Sequence, residues 1–375
     1  MVRLILVGIL FLFSFLILLR APANLLWYVS ILVTEFCWIF FLLLCILLFW
    51  KFGSASYHLP TTILATITMA IYLLPVLHAF RTGNAVQQQF EAAFGGTLNT
   101  AGEHPFNPVK MLTGTGAKKR SHQAYVYDAL HGLSLNFYPS VVEGQRPCIV
   151  VIHGGSWAAG DNLQLPELNS ELAKNGYHVA SITYRLAPKH HYPAPVEDVK
   201  TALDFLTENA TQLAIDTTAF ILLGRSAGGQ IALSSAYTLN DKRVKAVISF
   251  YGPTDMIWGY ENPTSPLVLD SRKVMEDYLG GTLQQVPRQY KQSSATETVT
   301  SATPPTLLIY GENDPLVSPR HGNRLTKKLD EKGVKYITVY LPWATHGFDY
   351  TLNGPGGQIS TWSVRQFLAA VTGKP

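Results

Sequence analysis

Ser226, Asp314 and His346 follow one another along the chain, each placed at or just beyond the end of an apolar run. Ser226 lies in Gly224-Arg-Ser-Ala-Gly228, a G-x-S-x-G pentapeptide. Ala219–Leu223 before it reads as a buried strand, and Gln230–Leu239 after it has the apolar spacing of a helix. That context predicts a sharp strand-to-helix turn that holds the serine hydroxyl above the sheet edge. Glycines suit both sides of the turn because a Cβ there would collide. A serine hydroxyl is a weak nucleophile by itself. It needs a base for its proton, a group that orients the base, and donors for the developing oxyanion.

Each has candidates. The apolar run Pro147–Ile152 ends in His153-Gly-Gly-Ser-Trp157, where paired glycines allow backbone N–H groups to face a bound carbonyl oxygen. Gly154 and Gly155, with Ala227 after the serine, are the expected oxyanion donors. Asp314 follows the strand-like run Pro305–Tyr310, at the strand end where catalytic groups of open α/β sheets collect. Glu312 and Asp255 are its rivals. His346 follows the run Tyr336–Leu341, on a loop before a C-terminal helix. His190 and His191 sit in a Pro-rich loop without a metal-ligand pattern, so neither a metal nor a cofactor is implied.

The elements that must position these groups alternate. Ala124–Asp128 and Leu133–Tyr138 suit an antiparallel hairpin. Strands over 149–153, 178–184, 219–223 and 244–250 then alternate with helices over 166–175, 195–209 and 227–239. Such alternation predicts an α/β domain, a mainly parallel sheet with helices on both faces. Residues 253–300 interrupt it and form a candidate cap; Trp258 and Tyr260 there, with Trp157, are candidate walls of a substrate pocket.

At this point the chain resembles the α/β-hydrolase superfamily, and within it the esterases related to hormone-sensitive lipase and bacterial carboxylesterases. The segments that carry the likeness are His153–Trp157, Tyr184–Pro188 with Pro193–Asp198, Gly224–Gly229, and Asp314–Leu316 with His346–Phe348. The resemblance covers roughly residues 120–372. It implies an eight-stranded α/β-hydrolase fold, a triad on Ser226, Asp314 and His346, and oxyanion donors on Gly154, Gly155 and Ala227. Ser156 stands where many relatives have a third glycine, and Arg225 where a smaller or uncharged residue is common. The substrate stays open, since fold and triad are shared by many hydrolases.

The first 80 residues differ in kind, with Arg3, Arg20, Glu35 and Lys51 as their only charged residues. Apolar stretches at 4–19, 25–50 and 59–80 predict a membrane anchor of about three transmembrane helices in residues 1–81. Glu35 falls inside the second. Ala21-Pro-Ala23 offers an alternative reading of the first stretch as a cleaved signal peptide. Residues 82–122 read as a linker and 123–375 as the catalytic domain. A slight excess of positive charge on the N-terminal side favours placing that domain outside the cytoplasm.

The net charge is only +4, with no basic-aromatic array for nucleic acid. Of three cysteines, Cys37 and Cys45 fall in the second stretch, leaving Cys148 without an intradomain partner. The function expected is membrane-anchored ester hydrolysis through an acyl-enzyme, with small esters, lipid-like ones among them, as substrates. A peptidase, amidase or acyltransferase would use the same residues. A catalytically silent membrane scaffold is the alternative of another class.

Overall fold

The computed structural model describes residues 1–49, 57–95, 103–114 and 119–373. Trp50, at the end of the second apolar stretch, and Lys51 just beyond it lie outside the described residues.

Four helices come first: α1 (Val2–Leu18), α2 (Asn24–Glu35), α3 (Cys37–Phe49) and α4 (His58–Phe94). The short α5 (Pro108–Thr113) follows, capped by the Asn107 side chain, which accepts from the Val109 and Lys110 N–H groups. The α/β domain then runs β1 (Gln123–Asp128), β2 (Leu133–Tyr138), β3 (Arg146–Ile152), α6 (Pro166–Lys174), β4 (His178–Ile182), α7 (Ala194–Glu208), α8 (Ala210–Leu213), β5 (Ile215–Arg225), α9 (Ala227–Thr238) and β6 (Val244–Phe250). Helices α10 (Met256–Glu261), α11 (Ser271–Leu279), α12 (Pro287–Ser293) and α13 (Ala295–Thr298) build the interruption. β7 (Thr306–Gly311), α14 (Arg320–Glu331), β8 (Tyr336–Leu341) and α15 (Pro355–Thr372) complete the chain.

The eight strands form one sheet in the order β1-β2-β4-β3-β5-β6-β7-β8. The β1–β2 and β2–β4 pairs are antiparallel and the others parallel. Residues 147–152 of β3 and 219–225 of β5 are continuously buried, as expected of central strands covered on both faces. The parallel strands carry their C-terminal ends to one edge, and the loops bearing Gly154, Ser226, Asp314 and His346 all leave from it.

The N-terminal stretches depart from expectation in shape. The second is not one helix: α2 and α3 break at Phe36 with a bend of 79°. Hydropathy reads through the break because both segments are apolar. At the break stands Glu35, whose side chain is buried against the α/β domain. Its Oε2 accepts the Gly356 N–H at 2.8 Å and the Gly357 N–H at 3.4 Å, satisfying donors at the start of α15. A Cβ on Gly354 would lie 2.2 Å from that oxygen, so the glycines of Asn353-Gly-Pro-Gly-Gly357 make room for the carboxylate. The third stretch runs on to Phe94, taking in the first part of the expected linker. Phe90 packs edge-on against Trp362 of α15 and anchors that extension.

Helices α1, α3 and the first part of α4 pack together. Arg3 reaches His58 and the Tyr72 hydroxyl donates to the Leu10 carbonyl, so α1 and α4 run parallel. Phe40 stacks on Tyr72 while Arg3 reaches the Leu48 carbonyl, so α3 runs opposite to both. Among the described residues, α4 is the one helix that is by itself long and apolar enough to cross a membrane; the bent α2–α3 pair passes only as a unit.

Candidate active site

The turn from β5 into α9 places Ser226 at φ 53°, ψ −120°, a strained conformation for a residue with a Cβ. Its neighbours leave no space. A Cβ on Gly224 would lie 2.0 Å from the Gly228 carbonyl oxygen, and one on Gly228 2.2 Å from that of Ile152. The two glycines let the elbow pack against itself and against β3.

Asp314 and His346 meet across the loops after β7 and β8. His346 Nδ1 stands 2.7 Å from Asp314 Oδ2, with both residues buried. Asp314 Oδ1 accepts the Leu316 and Val317 N–H groups at 2.8 Å, which fixes the carboxylate. An ionised carboxylate only accepts, so Nδ1 carries the proton and Nε2 keeps its lone pair. Ser226 and His346 border one cavity. No hydrogen bond joins them among the described residues, and such contacts commonly tighten only when substrate binds. The rivals of Asp314 are occupied elsewhere. Asp255 caps α10 and pairs with Arg324 at 2.8 Å; the Glu312 side chain is exposed.

On the glycine loop, Gly155 has φ +122°, and a Cβ there would lie 2.0 Å from the Ala159 carbonyl oxygen. The expected donor at Gly154 already has an acceptor. Its N–H donates to Gln164 Oε1 at 2.7 Å, a partner that no local pattern announces. Neither the Gly155 nor the Ala227 N–H has a hydrogen-bond acceptor among the described residues, and Ala227 opens α9, where helix donors are unpaired. His153 supports this loop from behind, stacked on Tyr184, and burial lowers its pKa below the usual value.

Arg225 turns away from the serine and is buried. Its Nε donates to Asp349 Oδ2, and Tyr251 donates its hydroxyl to Asp349 Oδ1, both at 2.5 Å. The Tyr251 ring in turn packs 4.2 Å from that of His346. This network ties the elbow, the end of β6 and the histidine loop together.

Two cavities meet at Ser226. The smaller, about 80 Å³, lies under the interruption and is bordered by Ala227, Trp157, Trp258, Met275 and His321. Trp157 is held there by stacking on Tyr278 at 4.5 Å and by donating to Gln230 Oε1 at 2.9 Å. Tyr260 does not border it, contrary to expectation. It bonds Glu276 and packs against Tyr290 instead, because residues two apart on a helix such as α10 face nearly opposite sides. The larger cavity, about 670 Å³, holds His346, Gly155 and Gln164 on one side and Trp27, Tyr28, Ile31 and Leu32 of α2 on the other.

The N-terminal helices thus reach the site. The Trp27 indole donates to the His346 carbonyl at 2.8 Å. Arg20 donates to the Glu312 carbonyl, and Asn313 to that of Ile17, on the loop that carries Asp314. Asn24 bonds the carbonyls of Leu267 and Val268 in the interruption.

The BD-FAE family profile matches residues 135–329, just over half of the chain. The chain belongs to the BD-FAE family. The BD-FAE match spans the glycine loop, the elbow and Asp314, and ends before His346. Among curated proteins the chain is similar to Esterase LipC of Mycobacterium tuberculosis, 29% identical over 54% of this chain and 53% of that protein. It is also similar to the probable carboxylic ester hydrolase LipM of the same species, 28% identical over 74% of this chain and 66% of the relative. The chain therefore spans about half to two thirds of the length of these relatives. The solved esterase of Pyrobaculum calidifontis shares the α/β-hydrolase fold, with a TM-score of 0.60 at 21% identity over 78% of this chain and 94% of that one.

Proposed function

We propose that this BD-FAE member hydrolyses carboxylic esters through an acyl-enzyme on Ser226. The observation that carries the reading is the 2.7 Å Asp314–His346 contact, opening on the cavity that Ser226 borders from a strained elbow. In this reading His346 Nε2 takes the Ser226 proton as Oγ bonds to the acyl carbon. The tetrahedral oxyanion accepts from the Gly155 and Ala227 N–H groups, while Gln164 holds Gly154 and so the loop in place. Collapse breaks the bond to the alcohol oxygen, which takes the proton from His346. Water, giving a proton to His346, then attacks the acyl carbon and releases the acid and the serine. The names of the relatives and of the structural neighbour support ester chemistry.

The second part of the proposal is that α1, α3 and the first part of α4 sit in a bilayer, with the α/β domain on the extracytoplasmic side. Large apolar side chains cover the outer surface of these helices, as hydrocarbon solvent requires.

The test is fluorophosphonate labelling of detergent-solubilised protein, wild type beside Ser226→Ala. Labelling of the wild type alone is expected. Equal labelling or equal ester turnover of the two proteins removes Ser226 from the chemistry. Retention in the pellet after alkaline carbonate extraction is the expected outcome for the membrane part, and release of the full chain contradicts it.

A further inference from the structure

Resting on the ester-hydrolase reading, we propose that the substrate is an ester of a short acyl group with a long apolar alcohol, and that the alcohol enters from the bilayer past α2. The geometry of proton delivery sets the direction. His346 must protonate the leaving oxygen, so the alcohol lies on the side of Ser226 that His346 borders. That side is the cavity of about 670 Å³. The acyl group is left with the other cavity, about 80 Å³ and lined by Trp157, Trp258 and Met275. A cavity of roughly 150 Å³ holds benzene, so the smaller one accepts about three carbons.

The wall of the large cavity identifies where the alcohol comes from. α2 bends 79° away from α3, so it lies near the plane of any bilayer that the α1–α3–α4 bundle crosses. It carries Trp27 and Tyr28, the residue types that settle at a membrane interface. Tyr28 and Leu32 border the cavity and are yet 54% and 47% exposed, and Tyr350 on the facing wall is 58% exposed. Leu25, beside them on α2, is 74% exposed. Exposed apolar side chains of α2 thus offer a path between the outer surface and the cavity. A freely dissolved substrate needs no such path, whereas an amphiphile held in the bilayer does.

The experiment uses two isomeric esters that differ only in which side of the ester bond is long. Hexadecyl acetate and ethyl hexadecanoate are placed at equal mole fraction in phosphatidylcholine vesicles holding the full-length protein; soluble p-nitrophenyl acetate reports the chemistry. Hexadecyl acetate is expected to turn over at least tenfold faster than its isomer. Tyr28→Asp and Leu32→Asp are expected to lower hexadecyl acetate turnover at least tenfold relative to p-nitrophenyl acetate. Leu130→Asp, on the remote β1–β2 turn, is the control and changes neither. Equal rates for the isomers, a preference for ethyl hexadecanoate, or parallel loss of both activities in the α2 variants overturns the proposal. Turnover of p-nitrophenyl acetate that depends on Ser226, with neither long ester cleaved, overturns this proposal and leaves the hydrolase reading standing. Absence of Ser226-dependent turnover of any ester removes both.

Discussion

In the α/β domain apolar side chains face inward, and buried charges are paired: Arg225 with Asp349, and Asp198 with the half-buried Arg185. In α1, α3 and α4 the arrangement is inverted: Leu12, Ile46 and Leu59 are 67%, 60% and 71% exposed, and polar side chains such as Ser14 and Thr68 are turned inward. The first pattern suits water and the second hydrocarbon. At the seam, among the described residues, the two regions are joined by hydrogen bonds to the main chain and by no ion pair. Arg20, Asn24, Trp27 and Glu35 each bond main-chain atoms of loops or of a helix start around the site. A segment serving only as an anchor has no need to bond the loops of Asp314 and His346. The difference fits the proposed division of chemistry and access between the regions, and each variant below tests one side of that division.

The largest effect is expected inside the α/β domain. Asp314→Asn keeps the shape but presents a donor to His346 Nδ1, favouring the wrong tautomer, and should lower kcat about 10⁴-fold for every ester. Steady-state kinetics with short and long substrates check it; loss confined to one substrate class would assign Asp314 to binding instead. Asp349→Asn comes next. It leaves the Arg225 guanidinium buried without its carboxylate, a change that costs about 3–5 kcal/mol. Denaturant unfolding should show that loss. Because Tyr251 packs on His346, kcat should fall more than KM changes.

His321 gives a pH-dependent effect of the same region. Burial lowers its pKa from the usual 6.5 to about 4 although Asp255 opposes the shift; the Arg324 charge works in the same direction as burial. Neutral Nδ1 faces the Thr254 and Asp255 N–H groups. The unfolded chain takes up the proton near pH 6.5 and the folded chain only near 4. This contribution to stability is therefore intact above 6.5 and falls as the pH drops through that window, by about 3 kcal/mol in all. Thermal melts between pH 7 and 4 should show the slope, and His321→Gln should flatten it.

The strand-to-helix turn at Ser226 and the loop positions of Asp314 and His346 were legible because their signals are local: an apolar run, then a turn. The strands were legible for the same reason, and β2, β6 and β8 match their expected ranges within a residue. The Gln164 bond to Gly154 and the Arg225–Asp349–Tyr251 network were not. They join residues 10, 124 and 98 positions apart, and no period links such pairs. The bend at Phe36 was hidden by uniform hydropathy, although Glu35 in an apolar run and the glycines of 354–357 were visible separately. Only folding brings that acid to those N–H groups.

The smallest expected effect tests the seam itself. Trp27→Phe keeps an aromatic ring against His346 but removes the N–H that bonds the His346 carbonyl at 2.8 Å. One neutral hydrogen bond contributes about 0.5–1.5 kcal/mol, or roughly two- to tenfold in an equilibrium or rate. If α2 helps hold the histidine loop, kcat for p-nitrophenyl acetate should fall within that range at unchanged fluorophosphonate-labelled fraction, because the chemistry remains but the base is less often in place. If kcat is unchanged while turnover of hexadecyl acetate in vesicles falls, α2 acts on access alone and the division between the regions is sharper than the seam implies. A loss of stability with kinetics intact would instead make Trp27 a fastening between two regions that work independently.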